Sequence, residues 1–370
     1  MFQPNFKITN NLVSYISSIE AAKALIDHAP LVPAWEAKFR GEAVTRMVHF
    51  GTKIEGNDLT QEQTSRLIQA QSAADPGASS GDLAKQAGII ARERDVQEVI
   101  NYRQVLTWID ELSLAAKKTS NDKLLSAETL KTLHALTMQG LLEAAQTGEY
   151  RRQQVIVRGA KDGGVVFRPP VSAEVPFLVT EFFEWLNSPE ALSLHPIFRA
   201  GIAHYHLVYI HPFIEGNGRT ARAMASLVLQ QASYDFKKFF SLEQYFDSDV
   251  DKYYQALLSV QQTGTDVTYW LEYFCYGVAV EIDKIKSQVL KLSKDLKLQK
   301  DLGSQVALSE RQIILLETLQ NQGELSSETA QQILPNVSTD TILRDLKDLI
   351  KKGVVQKQGV TKGVRYLMVG

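Results

Sequence analysis

Apolar positions recur at helical spacing over most of the chain. In "VQEVINYRQVLTWIDEL", Val96, Val99, Ile100, Tyr102 and Val105 fall on one stripe that continues to Trp108 and Leu112. From Ala34 to about Gln69 the same period predicts helix, interrupted by the polar "EGNDLTQEQ". "SAETLKTLHALTMQGLL" opens on Ser126, an N-cap type of residue, with Glu128 and Thr129 behind it. Helix is predicted again for "AEVPFLVTEFFEWLN", "PIFRAGIAHYHLVYI" and "RTARAMASLVL". It is predicted once more from Trp270 into "KLSKDLKLQKD", whose lysines mark a solvated face. The aromatic clusters "EFFEWL" and "YWLEYFCY" keep helical spacing and predict core. Residues 1–30 read as mixed, and "QSAADPGASSGD" (71–82) reads as a loop because it is small, polar and rich in turn formers.

The period shortens at two places. In "RRQQVIVRGAKDGGVVFRPP" (151–170), Val155-Ile156-Val157 and Val165-Val166-Phe167 flank "GAKDGG", a hairpin signal closed by a double proline. From Ser309 the chain predicts three helices, the third with Ser338 as N-cap and Ile342, Leu346 and Leu349 as its core stripe. "VVQKQGVTKGVRYLMV" then supplies two short β-runs about a glycine-containing turn, a wing. The expected class is mainly α, a helical bundle with one β-hairpin flap, plus a C-terminal winged helix-turn-helix. The expected divisions are 1–110 (N-terminal helical region), 111–235 (core), 236–302 (helical linker) and 303–370 (winged unit).

Composition narrows the partners. Of 370 residues, 44% are apolar and 22% charged, with a formal net charge of -2, so there is no general field for nucleic acid or anionic lipid. The single cysteine, Cys275, excludes an internal disulfide and a cysteine metal cluster, and its apolar setting predicts a buried thiol. "MFQPNFKITN" lacks the basic and apolar regions of a signal peptide, and no apolar run reaches the ~20 residues that span a bilayer. A cytoplasmic chain with no membrane partner is expected.

"HPFIEGNGRTAR" (211–222) fits no packing pattern. Gly216 and Gly218 allow positive φ and close backbone approach where a loop becomes a helix. Free N–H groups at a helix start form an anion site, and Arg219 and Arg222, three apart, can reach the same anion. Glu215 beside a polyanion calls for a bridging cation, for which Mg²⁺ is suited. His211 can take a proton near neutral pH. His204 and His206 point to different faces of their helix and form no metal pair, and His195 before Pro196 marks a helix start.

This stretch resembles the signature of the Fic family, HxFx[D/E]GNGRxxR, at every position, and "GEYRRQQVIVRG" with "FRPP" resembles that family's flap. The similarity runs from roughly residue 30 to residue 235. It implies transfer of AMP from ATP onto a Tyr, Thr or Ser hydroxyl of a target protein, self-modification included. By the same resemblance His211 deprotonates the hydroxyl, Phe213 anchors the loop and Glu215 holds Mg²⁺. Gly216, Asn217 and Gly218 cradle the phosphates, with Asn217 on the α-phosphate, and Arg219 and Arg222 clamp the outer two. The flap aligns the target by backbone pairing.

"GTKIEGN" (51–57) resembles the family's inhibitory motif [S/T]xxxE[G/N]. This implies that Glu55 pairs with Arg222 and takes the place of the outermost phosphate. Gly51 stands where the family has Ser or Thr, so the hydroxyl that would help seat the helix is missing. A plain helix C-terminus capped by Gly56 is the other reading of the same residues. Two further readings of the whole stay open: a Fic enzyme that transfers or removes another phosphate-linked group, and a DNA-binding regulator whose Fic site senses nucleotide. Residues 303–370 hold eight basic against seven acidic residues. Asp340, Asp345 and Asp348 crowd Arg344 and Lys347 on the third helix, while Lys357, Lys362 and Arg365 favour the wing. DNA binding, protein docking and a homodimer are all left open.

Overall fold

The computed structural model describes residues 2–29, 31, 33–75, 77–119, 124–158, 164–301, 308–359 and 364–369. Most of the hairpin turn "GAKDGG" (159–163) and the wing's Lys362 lie outside the described residues, as do the side chains of the lysine-rich run at 293–301. The chain forms two compact units. One comprises Met1–His28 and Glu36–Ser287, the other Ala29–Trp35 and Gln288–Gly370.

In chain order the elements are α1 (Asn10–His28), α2 (Pro33–Lys53), α3 (Gln61–Ala73), α4 (Ser80–Gln86), α5 (Glu93–Thr119) and α6 (Ala127–Met138). The hairpin follows as β1 (Val157–Arg158) and β2 (Val165–Phe167). Next come α7 (Val175–Leu186), α8 (Pro189–Ser193), α9 (Pro196–Ile210), α10 (Asn217–Gln231), α11 (Leu242–Ser248), α12 (Val250–Gln262) and α13 (Thr268–Asp301). The C-terminal elements are α14 (Glu310–Gln322), β3 (Leu325–Ser326), α15 (Ser327–Ile333), α16 (Thr339–Lys351), β4 (Val355–Gln358) and β5 (Arg365–Met368).

The mainly helical class follows the periodicity, and its departures have physical reasons. Residues 10–28 are helix because Leu12, Ile19, Ala22 and Ile26 all reach the core, a spacing hidden among Asn and Ser. The expected loop at 71–82 is shortened by α4, whose N-cap Ser79 accepts from the Asp82 N–H. Along α5 the buried stripe passes from Val105 to Ile109, 3% exposed, rather than to Trp108, as a period of 3.6 requires. Ser126 and Ser338 cap α6 and α16, each accepting from the N–H three residues on, and His195 caps α9.

The centre of the first unit is the pair α9 and α10. Every residue of α9 from Ile197 to Leu207 is buried, Arg199, His204 and His206 included. Helix α10 packs on α9, α6 and α5. Val48, Leu59, Leu67, Val96, Val99 and Tyr102 join α2, α3 and α5 in one apolar cluster. That cluster fixes the end of α2 beside the start of α10. The hairpin is shorter than expected, pairing Val157 with Phe167 and Arg158 with Val165. In the second unit β3, β5 and β4 form an antiparallel sheet. Ile342, Leu346 and Leu349 of α16 pack with Leu315, Leu319 and Tyr366.

Candidate active site

Helix α9 ends at His211, which adopts a left-handed conformation (φ 51) while its N–H bonds the Leu207 carbonyl. Pro212 cannot continue the helix. The ring Nδ1 lies 3.2 Å from the Val208 carbonyl, so Nδ1 carries the proton and Nε2 keeps a free lone pair. Burial pushes the imidazole down to about 4, against upward pulls from the Val208 bond and Glu55. His211 is therefore neutral at pH 7, as a base must be.

A buried arginine outside the signature holds this turn. Arg151 donates through Nε to the His211 carbonyl at 2.8 Å and through Nη1 to the Gln153 carbonyl at 3.2 Å. Its Nη2 donates to the Pro170 carbonyl at 2.5 Å, and its backbone N–H to that of Pro212 at 2.9 Å. One side chain thus ties the base of the hairpin to the His211 turn.

The loop beyond is braced from α6. The Phe213 ring, fully buried, stacks on His134 at 3.8 Å and 2°. His134 Nδ1 accepts from the Gly148 N–H at 2.9 Å, so its Nε2–H donates to the Glu215 carbonyl at 3.0 Å. Burial holds this imidazole down to about 4, keeping that tautomer neutral. Asn217 closes the loop on itself. Its Oδ1 accepts from the Phe213 N–H and its Nδ2 donates to the Phe213 carbonyl, both at 2.9 Å. In this arrangement the Asn217 side chain braces the loop, and the backbone of its position remains for an anion. Gly216 turns into α10 with φ 76, and a Cβ there would stand 2.5 Å from Met138 Sδ.

Arg219 and Arg222 are both buried, and they take different partners. Arg219 Nη1 is 3.2 Å from Glu98 Oε1, and Nη2 is 3.8 Å from Glu215. Arg222 Nη2 donates to Glu55 Oε1 and to the Gly51 carbonyl, each at 2.8 Å. Burial alone would push Glu55 up, but Arg222 and then Arg219 hold it below the usual carboxylate range. Burial likewise lowers Arg222, and Glu55 more than reverses it. The two readings of "IEGN" are compatible: Gly56 (φ 91) ends the turn after α2, and the turn delivers Glu55 to Arg222. The absence of Ser or Thr at Gly51 also has a cause, since a Cβ there would meet the Tyr102 ring at 2.6 Å. The carbonyl of Gly51, not a hydroxyl, does the seating.

Two residues of α5 complete the site, and neither stands out in the sequence. Glu98 accepts from Arg94 Nε on Oε1 at 3.2 Å and from Asn57 Nδ2 on Oε2 at 3.0 Å, and its Oε1 forms an ion pair with Arg219 at 3.2 Å. Arg94 also pairs with Glu215.

The arrangement fits a magnesium-bound polyphosphate. A Cβ on Gly218 would lie 2.5 Å from Glu55 Oε1, so Gly218 opens the space that Glu55 fills beside Arg222. Helix α10 starts without a side-chain cap, which leaves N–H groups to an anion. Among the described residues there is no group of three or more His, Cys, Asp or Glu that could hold a metal. A cation at Glu215 would therefore need substrate oxygens as further ligands, as Mg²⁺ on a nucleotide has.

In the C-terminal unit, Asp345 turns inward to Arg311 at 2.7 Å, and Asp348 pairs with Lys352 at 2.5 Å and accepts from Gln312 at 2.7 Å. Arg344 and Lys347 stay exposed on α16.

Residues 124–229 match the family described as Fic/DOC, and residues 311–359 match the DeoR-like helix-turn-helix domain. The central part of the chain is thus similar to the Fic/DOC family. It is 30% identical over 219 residues to the protein adenylyltransferase Fic of Drosophila willistoni, covering 59% of this chain and 38% of that protein. It is 33% identical over 193 residues to that of Drosophila persimilis, covering 52% and 32%. The chain thus spans only about a third of the length of these relatives. A Fic family protein from Desulfovibrio desulfuricans shares the fold over 100% of this chain and 99% of its own, with a TM-score of 0.63 at 23% identity. Fic-1 from C. elegans matches 76% of this chain and 73% of its own, with a TM-score of 0.54 at 24% identity. Among the described residues no helix is long and apolar enough to cross a membrane.

Proposed function

We propose that the chain is a protein adenylyltransferase that moves AMP from Mg-ATP to a hydroxyl side chain of a protein, and that Glu55 restrains it. In the reaction, His211 Nε2 takes the proton of the incoming hydroxyl. The oxygen attacks the α-phosphorus, the bond from that phosphorus to the β-phosphate bridge breaks, and pyrophosphate leaves. Glu215 would hold Mg²⁺, which neutralises the leaving charge. The backbone at Gly216–Gly218 faces the phosphates, and Arg219 and Arg222 take the outer two. The hairpin, tied to His211 through Arg151, presents the target segment.

The observation that carries this reading is the Arg222–Glu55 pair at 2.8 Å. An internal carboxylate occupies the cationic place that a terminal phosphate needs. Intact-mass analysis of Glu55→Gly incubated with Mg-ATP tests it. AMP adducts should form at least about tenfold faster than on the parent chain, a barrier lower by ~1.4 kcal/mol or more, and adding His211→Ala should abolish them. A folded Glu55→Gly chain that gains a different phosphate-linked mass, or none, overturns the assignment of AMP.

A second reading concerns the helix-turn-helix unit. The aspartates that weigh against DNA on α16 are partly spent inside the unit, on Arg311 and Lys352, while Arg344 and Lys347 remain outward. We infer a DNA-binding role for that unit. Duplex DNA should bind the full chain with an affinity that falls as salt rises. Arg344→Ala with Lys347→Ala should weaken it about tenfold or more; equal binding by that variant sinks the idea.

A further inference from the structure

Beside Arg222 lies a cavity of about 20 Å³ lined by Arg222, His204, Glu243, Met47 and Phe246 among others. It is large enough for one water. Two buried nitrogens in this region, Arg222 Nε and His204 Nδ1, have no hydrogen-bond partner among the described residues. Glu243, on the first turn of α11, is 2% exposed. It accepts from the Tyr102 hydroxyl at 3.2 Å and from Ser241 Oγ at 3.3 Å. The Tyr102 ring in turn fills the space beside Gly51, whose carbonyl holds Arg222 Nη2 at 2.8 Å. The hydroxyls of Tyr102 and Tyr253 interact with the guanidinium as well.

A buried guanidinium needs a counter-charge. Glu55 supplies it in the arrangement seen here, yet transfer as proposed above requires Glu55 to leave. Burial holds the Glu243 carboxyl above its usual range, and its backbone hydrogen bond and then Arg222 pull against that.

We propose that Glu243, acting with Tyr102, is a positioning residue for Arg222: it supplies the second counter-charge to the guanidinium once Glu55 has moved and keeps Arg222 aimed at the outermost phosphate. This rests on the ATP reading of the site. The role is specific to one phosphate, so it separates ATP from ADP.

The test is calorimetric binding of ATP and of ADP, with Mg²⁺, to Glu55→Gly and to Glu55→Gly/Glu243→Gln. The second chain should bind ATP about tenfold more weakly, with ADP changed less than about twofold. Tyr102→Phe in the Glu55→Gly background, which keeps the ring against Gly51, should weaken ATP about threefold and leave ADP alone. It decides the matter if the Glu243 variant does not fold. Equal losses for ATP and ADP, or no loss for either, overturn the positioning role while leaving the ATP reading intact. Failure of Glu55→Gly itself to bind ATP overturns both.

Discussion

Arg219 and Arg222 stand three apart on the first two turns of α10, equally buried, each against a carboxylate. Their surroundings differ. Glu98, the partner of Arg219, lies within α5 at 4% side-chain exposure and is held at once by Arg94, Arg219 and Asn57. Glu55, the partner of Arg222, sits on the turn that ends α2 at 27% exposure. The cations that hold it down are the two arginines of α10, with Arg222 the one in hydrogen-bond reach. One carboxylate is part of the frame, the other rests on it. The same chemical pair can be architecture or a catch, and what separates the two is how many other contacts must break before the acid can move.

Stability should expose that difference most strongly. Glu98→Ala leaves Arg219 buried without its main partner and frees Asn57 and Arg94, a loss of ~3–5 kcal/mol by analogy with other broken buried pairs. Glu55→Ala should cost roughly half as much or less, because Arg222 keeps the Gly51 carbonyl and its contacts with Tyr102 and Tyr253. Chemical denaturation of both variants measures the two losses side by side. Equal losses would break the comparison and make Glu55 as structural as Glu98.

Legibility in the sequence divides along the same line. The residues of "HPFIEGNGRTAR" are legible because no core explains so many polar and glycine positions in one run. Glu55 is legible only through the resemblance of its neighbours to an inhibitory motif. Glu98 and Arg94 are not: within "ARERDVQEVI" they look like ordinary charges on the polar side of a helix, and only the packing of α5 on α10 brings them to Arg219 and Glu215. His134 is hidden in the same way, a lone histidine on an amphipathic helix until the fold stacks it on Phe213. Its one signal is its place between Leu133 and Ala135 on a helix expected to be half-buried. The role of Gly51 cannot be read at all, because the ring that excludes a side chain there comes from Tyr102. Helical period locates elements well, whereas contacts between distant segments depend on which faces meet.

Two histidines report on the two sides at smaller scale. His211 interacts with Glu55, which pulls its imidazole upward against burial, whereas His134 interacts with Arg219, which adds to burial in pushing it down. Both end at about 4. The sign follows directly. A depressed histidine costs the fold nothing above its unfolded value of about 6.5, and stability is lost as pH falls from there toward the folded value. Each should cost ~2 kcal/mol between pH 6.5 and 5, seen as a melting temperature that drops over this window. In Glu55→Gly the upward pull on His211 disappears, so its titration, followed by NMR of the ring carbons, should move to lower pH while that of His134 stays put. A shift of both together would mean that the Glu55 turn and the Glu98 frame move as one piece, and the distinction between catch and architecture would fail.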